Sequence, residues 1–462
     1  IAKNIFKKVG FEKILEVNGK LNGDVNLFSG VADLEGRDRI TDDQIQGSTG
    51  FFSRHKAIKK TFKIGRKNRI SISKGKMRVV GAIFDADGDR FYMLEYDPFK
   101  DLLWVLSGDE TAILQANYLS TRFPKEYKNS LYINTVESDL NAAIAAKKMG
   151  LKPQITAVGD KWILLKIFLK RLEKQYKDSD FSKTPRCIFN EEIKRLKKTG
   201  VTSISSLQKL EIILGRKKAS HKRYIKPILA VGSEETGHNI TESKFTRSNG
   251  ERVPIYSGNG LKSALNTLVA TQHLTGPTKK YYAKVSRPFN PGFKDTLYVY
   301  YIHQDLFFKG SVIWKKLKQI VLDAAKKKKY SSVIRNFSED PDMLYISISA
   351  GKAGIFVRNS GTENKISVNL RGSKADAPRL RQIGFEVIKI LFANLKNRDH
   401  HFYKLELYVL SQIASQPLKE KDLKIEKQSK ARLLSEMLKQ RIIEANTLGV
   451  GLTPLGKWYL KN

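Results

Sequence analysis

The chain contains little of what characterises disulfide-stabilised or membrane-spanning proteins. Its one cysteine, Cys187, excludes a disulfide within the chain and favours a reducing compartment, either the cytoplasm or an organellar matrix. No apolar run approaches the roughly 20 residues that a transmembrane helix needs, so no membrane partner is expected. The chain begins at Ile1 rather than at methionine, which indicates a processed or partial product whose targeting segment is not visible.

Acidic residues are scarce in three stretches of a chain whose formal net charge is +38. Residues 46–78 contain eleven Lys and Arg and no Asp or Glu, residues 161–227 contain nineteen against six, and residues 396–462 contain thirteen against seven. Dense positive charge favours polyanions, because bound cationic side chains release counterions from a phosphate backbone. A solvated, lysine-rich surface without a ligand is the alternative.

The remaining sequence is typical of folded α/β protein, with 41% hydrophobic and 10% aromatic residues. Apolar strands such as "RVVGAIF" and "SLYINTV" alternate with amphipathic helices such as "GLKSALNTLVATQHL". This alternation predicts α/β domains with mainly parallel or mixed sheets. From about 167 to 226 the pattern changes to lysine-rich helix without matching strands, which indicates a basic insertion.

The last 67 residues have a different pattern. "FYKLELYVLSQIAS", "LKEKDLKIE" and "SKARLLSEMLKQRIIEA" predict three helices, and "LGVGLTPLGKWYL" resembles the hairpin and closing helix of a winged helix-turn-helix domain. In that interpretation the third helix is a candidate recognition helix for nucleic acid, with Lys430, Arg432, Lys439 and Arg441. A helical cap or a protein-docking module is the alternative.

A cluster of carboxylates follows the first long apolar strand. In "DADGDR", Asp85, Asp87 and Asp89 occupy alternate positions of a glycine-containing turn and are followed by Arg90. Oxygen atoms arranged in this way can converge on one Mg²⁺ ion, which takes few protein oxygens together with substrate phosphate. A solvated loop or a calcium site remains open, although the turn lacks the glutamate that an EF-hand loop places at its twelfth position.

Two further polar turns also follow apolar strands. "GSEETGH" places Glu234, Thr236 and His238 where they can hydrogen-bond sugar hydroxyls. "RNSGTEN" combines the guanidinium fork of Arg358 with two hydroxyls and a glycine that lets backbone amides approach a phosphate. Each turn alone is commonly structural, but three of them at successive strand ends indicate one site.

Together these turns resemble the α-D-phosphohexomutase superfamily, the phosphomannomutase/phosphoglucomutase enzymes. The family has a metal loop of DGDGDR type, a sugar loop of GE-x-SGH type and a phosphate loop of R-x-SGTE type on successive domains. "GFEKILEVN", "LSGDETAIL", "VGDKWI" and "SGNGLKSAL" are similar to other family segments. The resemblance implies successive mixed-sheet α/β/α mutase domains, then an α+β fourth-type domain, followed here by the winged-helix-like extension.

The same resemblance implies domain bounds and residue roles. Residues 1–104 would form a second-type domain, 105–279 a third-type domain with the insertion, 280–395 the fourth-type domain and 396–462 the extension. A catalytic role beside the metal is implied for Arg90. The implied Mg²⁺ ligands are Asp85, Asp87 and Asp89, and the implied substrate-binding residues are Lys161, Glu234, Thr236, His238, Arg358, Ser360, Gly361 and Thr362. The implied substrate is glucose or mannose 1- or 6-phosphate.

The principal departure from the family is the serine loop of T-x-SHNP type, which the sequence does not contain. Its nearest counterpart is "ASHKR", with Ser220 and His221, which lies inside the basic insertion. A nucleophile has to lie within reach of the transferred phosphate, so the family reaction would need a serine domain from elsewhere, such as a separate polypeptide.

Two functions are therefore compatible with the sequence. The first is a hexose-phosphate mutase that works with Mg²⁺ and a phosphoserine on a domain absent from this chain. The second is a repurposed, non-catalytic homologue in a large nucleoprotein such as a ribosome. There, the basic insertion and the C-terminal extension would contact nucleic acid or partner subunits.

Overall fold

A computed structural model describes most of the chain. The described residues are 2–11, 13–17, 30–46, 51–177, 190–192, 194–195, 227–246, 248, 250, 252–272, 274, 278–327, 330–337, 339–361, 363–446 and 448–462. Among them, no helix combines the length and the apolar character that crossing a bilayer requires. The basic insertion from 178 onward, including Ser220 and His221, lies almost entirely outside the described residues.

The first sheet is antiparallel throughout, which corrects the prediction of mainly parallel or mixed sheets for this region. Its strands are β1 (Arg39–Thr41), β2 (Val80–Phe84), β3 (Phe91–Asp97) and β4 (Leu102–Leu106), in the order β1-β4-β3-β2. The connections between β2, β3 and β4 are only a few residues long. Parallel pairing needs a crossover of a dozen or more residues, so such short connections enforce antiparallel pairing.

The described residues of this first region form five α-helices, of which the fourth covers the sheet. They are α1 (Ala2–Lys8), α2 (Asp42–Gln46), α3 (Phe51–Arg54), α4 (Lys56–Lys67) and α5 (Arg69–Ser73). Helix α4 buries Ile58 and Phe62 at helical spacing. Gly65 lets the helix approach β3 closely, because a Cβ atom there would lie 2.2 Å from Cγ of Tyr96.

The second sheet is mixed, as the alternation of strands and helices predicts. Strands β5 (Leu131–Thr135), β6 (Lys152–Thr156), β7 (Leu229–Ser233), β8 (Asn239–Thr246) and β9 (Arg252–Gly258) have the order β6-β5-β7-β8-β9. Strand β5 pairs in parallel with β6 and β7, and the other pairs are antiparallel. The accompanying helices are α6 (Gly108–Arg122), α7 (Pro124–Tyr127), α8 (Leu140–Lys148), α9 (Asp160–Lys177), α10 (Gly260–Gln272) and α11 (Lys279–Ser286).

The third sheet is antiparallel and large. Strands β10 (Phe293–Tyr300), β11 (Ser332–Phe337), β12 (Asp340–Ile348), β13 (Ala353–Asn359) and β14 (Lys365–Gly372) have the order β10-β14-β13-β12-β11. Helices α12 (Val312–Lys327) and α13 (Ala377–Leu395) pack against the sheet through buried residues such as Leu317, Val321 and Leu391. Antiparallel strands with helices on the sheet are an α+β arrangement.

The C-terminal segment contains α14 (His401–Gln412), α15 (Lys427–Lys439), β15 (Ile443–Asn446), β16 (Gly449–Leu452) and α16 (Pro454–Lys461). The helix predicted for "LKEKDLKIE" is wrong, since only Glu420–Asp422 form a 3-10 turn. That stretch is dominated by charged residues and has no apolar stripe to bury. Helix α15 also ends earlier than predicted, because Arg441 has a left-handed φ of 58° and "IEAN" forms a strand.

This C-terminal segment shares a hydrophobic core with the third sheet, to which it adds Val409, Leu433 and Tyr459 among others. It also contacts the first region, since Arg54 Nη2 lies 2.6 Å from Glu420 Oε1. The C-terminal segment thus contacts both the third sheet and the first region.

Candidate functional site

The aspartate turn lies at the end of β2. One oxygen from each of Asp85, Asp87 and Asp89 lies within 4.8 Å of the others. The Arg90 amide donates to Asp85 Oδ1 at 3.1 Å, and Gly88 adopts a positive φ of 78° that closes the turn. Asp89 Oδ1 is buried and has no hydrogen-bond partner within the described part of the chain.

These donors fit a hard divalent cation. Three carboxylates converge, and a buried carboxylate oxygen without a donor is costly unless a cation satisfies it. Oxygen-only ligands suit Mg²⁺ better than the nitrogen or sulfur ligands that zinc prefers. The residues present are therefore suited to hold Mg²⁺.

The turn predicted to bind the sugar comprises residues 233–238 and connects β7 to β8. We call it the sugar turn. Glu234 is 3% exposed and its Oε1 accepts from the Gly159 amide at 2.6 Å, while its Oε2 lies 2.6 Å from His238 Nδ1. Burial opposes ionisation of Glu234, but the hydrogen bond and charge of His238, the Gly159 amide and the charge of Arg90 together outweigh it and lower the pKa of that carboxyl. Burial likewise opposes the imidazolium, but Glu234 raises the pKa of His238 to about 9.

Direct contacts join the aspartate turn to the sugar turn. His238 Nε2 lies 3.0 Å from Asp89 Oδ2, and Arg90 forms an isolated antiparallel bridge with His238. The Phe91 amide donates to the Gly237 carbonyl at 3.1 Å. Two turns about 150 residues apart in the chain therefore form one surface.

The N-terminus of helix α6 packs against the sugar turn. Ser107 and Glu110 form a capping box at its N-terminus. The Gly108 amide donates to the Glu235 carbonyl at 3.1 Å. A Cβ atom on Gly108 would lie 1.7 Å from the Glu234 carbonyl oxygen, so only glycine fits there.

Two other predicted sugar ligands are placed less closely. Thr236 is half-buried within the sugar turn. Lys161 is exposed, and its Nζ lies 4.9 Å from the centre of the Trp162 ring. Lys161 nevertheless follows Gly159 by two residues, and the Gly159 amide donates to Glu234 of the sugar turn.

The turn predicted to bind phosphate comprises residues 358–363 and begins at the end of β13. We call it the phosphate turn. Arg358 Nε donates to Asp340 Oδ2 at 3.2 Å, and Nη1 lies 3.9 Å from Glu137 Oε1. Gly361 is exposed, and a Cβ atom there would meet no heavy atom within 4 Å. Thr362 lies outside the described residues.

Backbone contacts shape this turn. The Ser360 amide donates to the Lys365 carbonyl at 2.9 Å, and the Glu363 amide donates to Ser360 Oγ at 3.2 Å. Asn364 Oδ1 accepts from the Ile302 amide at 2.9 Å. Asn364 therefore anchors the turn to the chain that follows β10.

Glu137 joins the phosphate turn to the second sheet, and sequence reasoning missed it. It follows β5, and its carbonyl accepts from Arg371 Nε at 2.6 Å. Burial raises the pKa of Glu137 to about 7; the charge of Arg358 opposes the shift and that of Glu234 adds to it. The charges of Arg358 and Glu234 thus both act on the Glu137 carboxyl.

Sequence reasoning also missed the half-buried cation of Lys294. Lys294 of β10 lies 2.9 Å from Glu235 Oε1 and 3.8 Å from Asp109 Oδ2, which connects the third sheet to the sugar turn. Burial raises the pKa of Asp109 to about 7. The sequence gives no signal for this pair, because Lys294 lies between Phe293 and Asp295 at the start of a strand and its partners depend on how the sheets pack.

Glu137 predicts a pH dependence of stability. Its pKa rises from 4.5 to about 7 on folding, so the folded state binds more protons than the unfolded state between these values. The free energy of unfolding should therefore fall as pH rises through this window. E137Q is expected to be more stable than the parent at pH 8 and nearly equal at pH 5, measured by urea unfolding. The exposed Glu16→Gln control should show no such difference between the two pH values.

The basic residues of the candidate recognition helix mostly bind within the protein. Lys430 Nζ donates to the Leu423 carbonyl at 2.7 Å, and Arg432 Nε donates to Glu436 at 3.0 Å. Arg441 lies beyond helix α15 and forms an ion pair with Asp295, while the charge of Lys439 acts on Glu363 and Glu436. These contacts direct the helix toward the third sheet and the phosphate turn.

Part of the chain is similar in sequence to known proteins. Residues 107–173 match the phosphoglucomutase/phosphomannomutase alpha/beta/alpha domain III. A phosphoglucosamine mutase of Syntrophobacter fumaroxidans is 31% identical over 85 residues, which are 18% of this chain and 17% of that protein. The matched stretch is thus a small part of that enzyme.

Three mutases are among the solved structures to which the chain shows a weak similarity. An N-acetylglucosamine-phosphate mutase in a substrate complex has 12% identity, covers 68% of this chain and 48% of its own, and gives a TM-score of 0.38. A phosphoglucomutase/phosphomannomutase family protein from Burkholderia thailandensis has 15% identity, coverages of 75% and 55%, and a TM-score of 0.36. An Aspergillus fumigatus N-acetylphosphoglucosamine mutase with glucose 1,6-bisphosphate has 13% identity, coverages of 68% and 48%, and a TM-score of 0.32.

The chain spans about half the length of these solved proteins. The domain III match lies between the aspartate turn and the sugar turn, and the curated mutase supports the same relationship. This part of the chain is therefore similar to phosphoglucomutase/phosphomannomutase proteins.

Proposed function

We propose that this chain binds a hexose phosphate together with Mg²⁺ and contributes to moving a phosphoryl group between positions of the sugar. The observation that carries the proposal is the direct contact between the aspartate turn and the sugar turn through Asp89 and His238. A cation held at the first turn would lie beside a sugar held at the second. The ligand could be glucose or mannose 1- or 6-phosphate.

Each turn has a distinct role in this proposal. Asp85, Asp87 and Asp89 hold Mg²⁺, which when bound would offset negative charge on the phosphoryl group. Arg90, beside the ligands, contributes positive charge to the same region. Stabilisation of this kind is mostly positioning and electrostatics.

The sugar and its second phosphate take the remaining residues. Glu234, Thr236 and His238 would hydrogen-bond hydroxyls, with Lys161 at the rim. Arg358 would form the paired hydrogen bonds that a guanidinium makes with phosphate, and amides and hydroxyls of the turn at Ser360, Gly361 and Thr362 would complete the contact. Glu234 is already ionised by its contact with His238, so it can accept from a hydroxyl.

The proposed layout assigns one turn of the site to each of three domains. Residues 1–104 carry the aspartate turn, 105–279 the sugar turn, 280–395 the phosphate turn and 396–462 the winged-helix-like extension. The 462 residues contain no T-x-SHNP sequence, so the proposed phosphoserine belongs to a domain outside them. A separate polypeptide could supply it.

Metal binding tests the first step. Asp87 is the most exposed of the three ligands and has no other described contact with the sugar turn, so Asp87→Asn is expected to weaken Mn²⁺ or Mg²⁺ binding by at least roughly tenfold without altering the fold. Electron paramagnetic resonance of Mn²⁺ and calorimetry would measure it. The exposed Asp305→Asn is the control, and equal metal affinity in parent and D87N would contradict the assignment.

Turnover tests the complete proposal. The chain, supplied with a superfamily serine domain in its phosphorylated form, should interconvert glucose 1-phosphate and glucose 6-phosphate with Mg²⁺. Absence of turnover in that mixture, with the metal and the hexose phosphate both bound, would support the non-catalytic homologue instead.

A further inference from the structure

The exposed side of helix α4 carries positive charge that the proposed reaction does not use. Its lysines at positions 56, 59, 60, 63 and 67 are all exposed. At about 100° of rotation per residue they fall within roughly 100° of one another on the helix surface. We call Lys56, Lys59, Lys60, Lys63 and Lys67 the lysine face.

The lysine face lies opposite the buried side of the same helix. Ile58, Phe62 and Gly65 pack toward the first sheet, so the helix orientation is fixed by the core. The lysines cannot rotate inward, and their ammonium groups project into solvent. From Lys56 to Lys67 the face is about 16 Å long at 1.5 Å per residue.

No carboxylate neutralises this face within the described part of the chain. The stretch 46–78 has no Asp or Glu of its own. The acids that reach the helix from elsewhere, Asp42 and Asp101, pair with Arg66 at its C-terminal end. Ammonium groups three and four residues apart repel one another, and among the described residues this repulsion is not compensated.

We propose that the lysine face binds the phosphodiester backbone of a nucleic acid. Five cations along about 16 Å match a polyanion that carries one phosphate per about 3.4 Å of each strand. The face has no base-reading aromatic or amide side chains, so the contact would be to the backbone and independent of sequence. The inference does not rest on the proposed mutase function.

An anionic membrane fits the face less well. A helix that binds the bilayer interface inserts its apolar side among the lipids, but the apolar side of α4 is buried against the sheet. Ile70 is the nearest strongly exposed apolar side chain, at 71%, and it stands alone on the neighbouring helix. The surface therefore offers charge without an apolar anchor.

The test compares two charge-matched variants of the full chain. In the first, all five lysines of the lysine face become glutamine. In the second, five exposed lysines of the third region become glutamine, at positions 309, 315, 316, 326 and 327. Binding to duplex RNA and duplex DNA of about 20 base pairs and to phosphatidylserine vesicles is measured between about 50 and 200 mM salt, the range over which counterion release changes affinity strongly.

The lysine-face variant is expected to lose roughly a hundredfold or more in nucleic-acid affinity at 0.15 M salt, and its salt slope should fall by about 4. The control variant should stay within roughly threefold of the parent, and a Lys→Arg version of the face should retain binding. Equal loss in both variants, binding to vesicles but to neither duplex, or no salt dependence would overturn the proposal. The RNA and DNA arms show which backbone is preferred.

Discussion

Replacing Lys396 with methionine is expected to lower the free energy of unfolding by about 3–5 kcal/mol, because it leaves a buried carboxylate without its partner. Lys396 Nζ lies 2.5 Å from Glu406 Oε2, and the two side chains are 2% and 0% exposed. Tyr301, Phe392 and Tyr459 place their rings within 6 Å of the ammonium group. Glu406 also accepts from Gln440.

A second variant separates charge from packing. In Lys396→Met combined with Glu406→Gln, no ion remains buried, so most of the lost stability should return. Urea unfolding of the parent, both single variants and the double variant gives the coupling energy. If K396M alone unfolds at the parent's urea concentration, the pair does not hold the C-terminal segment to the third sheet.

Replacing Arg358 with alanine is expected to weaken binding of glucose 1,6-bisphosphate by on the order of a hundredfold, because two charge-assisted hydrogen bonds to phosphate are lost. Arg358 is 18% exposed and is held by Asp340 at 3.2 Å, with Glu137 at 3.9 Å. A phosphate entering the cleft would replace these weaker contacts at the outer edge of the guanidinium.

Two further variants make this binding measurement specific. Arg358→Lys keeps the charge but loses the planar fork, so it should lie between the parent and R358A. Arg335→Ala removes an exposed arginine from β11 of the same sheet and should leave affinity unchanged. Calorimetry of all four proteins decides the matter, and an R358A affinity equal to that of R335A would remove Arg358 from the site.

The sequence predicts the three turns because each follows an apolar strand, and a turn's chemistry is local. Asp85 and His238 could therefore be named before any contact between them was known. Glu137, Lys294 and Arg371 could not, since each acquires its partner only when separate sheets pack together. Their local sequence is ordinary strand and strand-end sequence.

The errors in secondary structure have a similar cause. Alternation of strands and helices predicts a mixed sheet for β5–β9, where helices do connect parallel strands. It fails for β2, β3 and β4, whose connections are too short for a crossover. In the C-terminal segment, "LKEKDLKIE" has favourable helix formers but no apolar stripe, and tertiary contacts outweigh propensity there.

Under the function proposed above, the missing side chain at Gly108 limits how this protein could change its ligand. The backbone at the start of α6 already contacts the Glu234 carbonyl, so the turn cannot move closer to the helix. Moving it away would break the hydrogen bond from the Gly108 amide to the Glu235 carbonyl. A homologue that prefers another sugar would have to exchange side chains on a turn of fixed height. Preference among hexoses would then diverge by substitution at positions such as Thr236, while the path of the backbone stays constant.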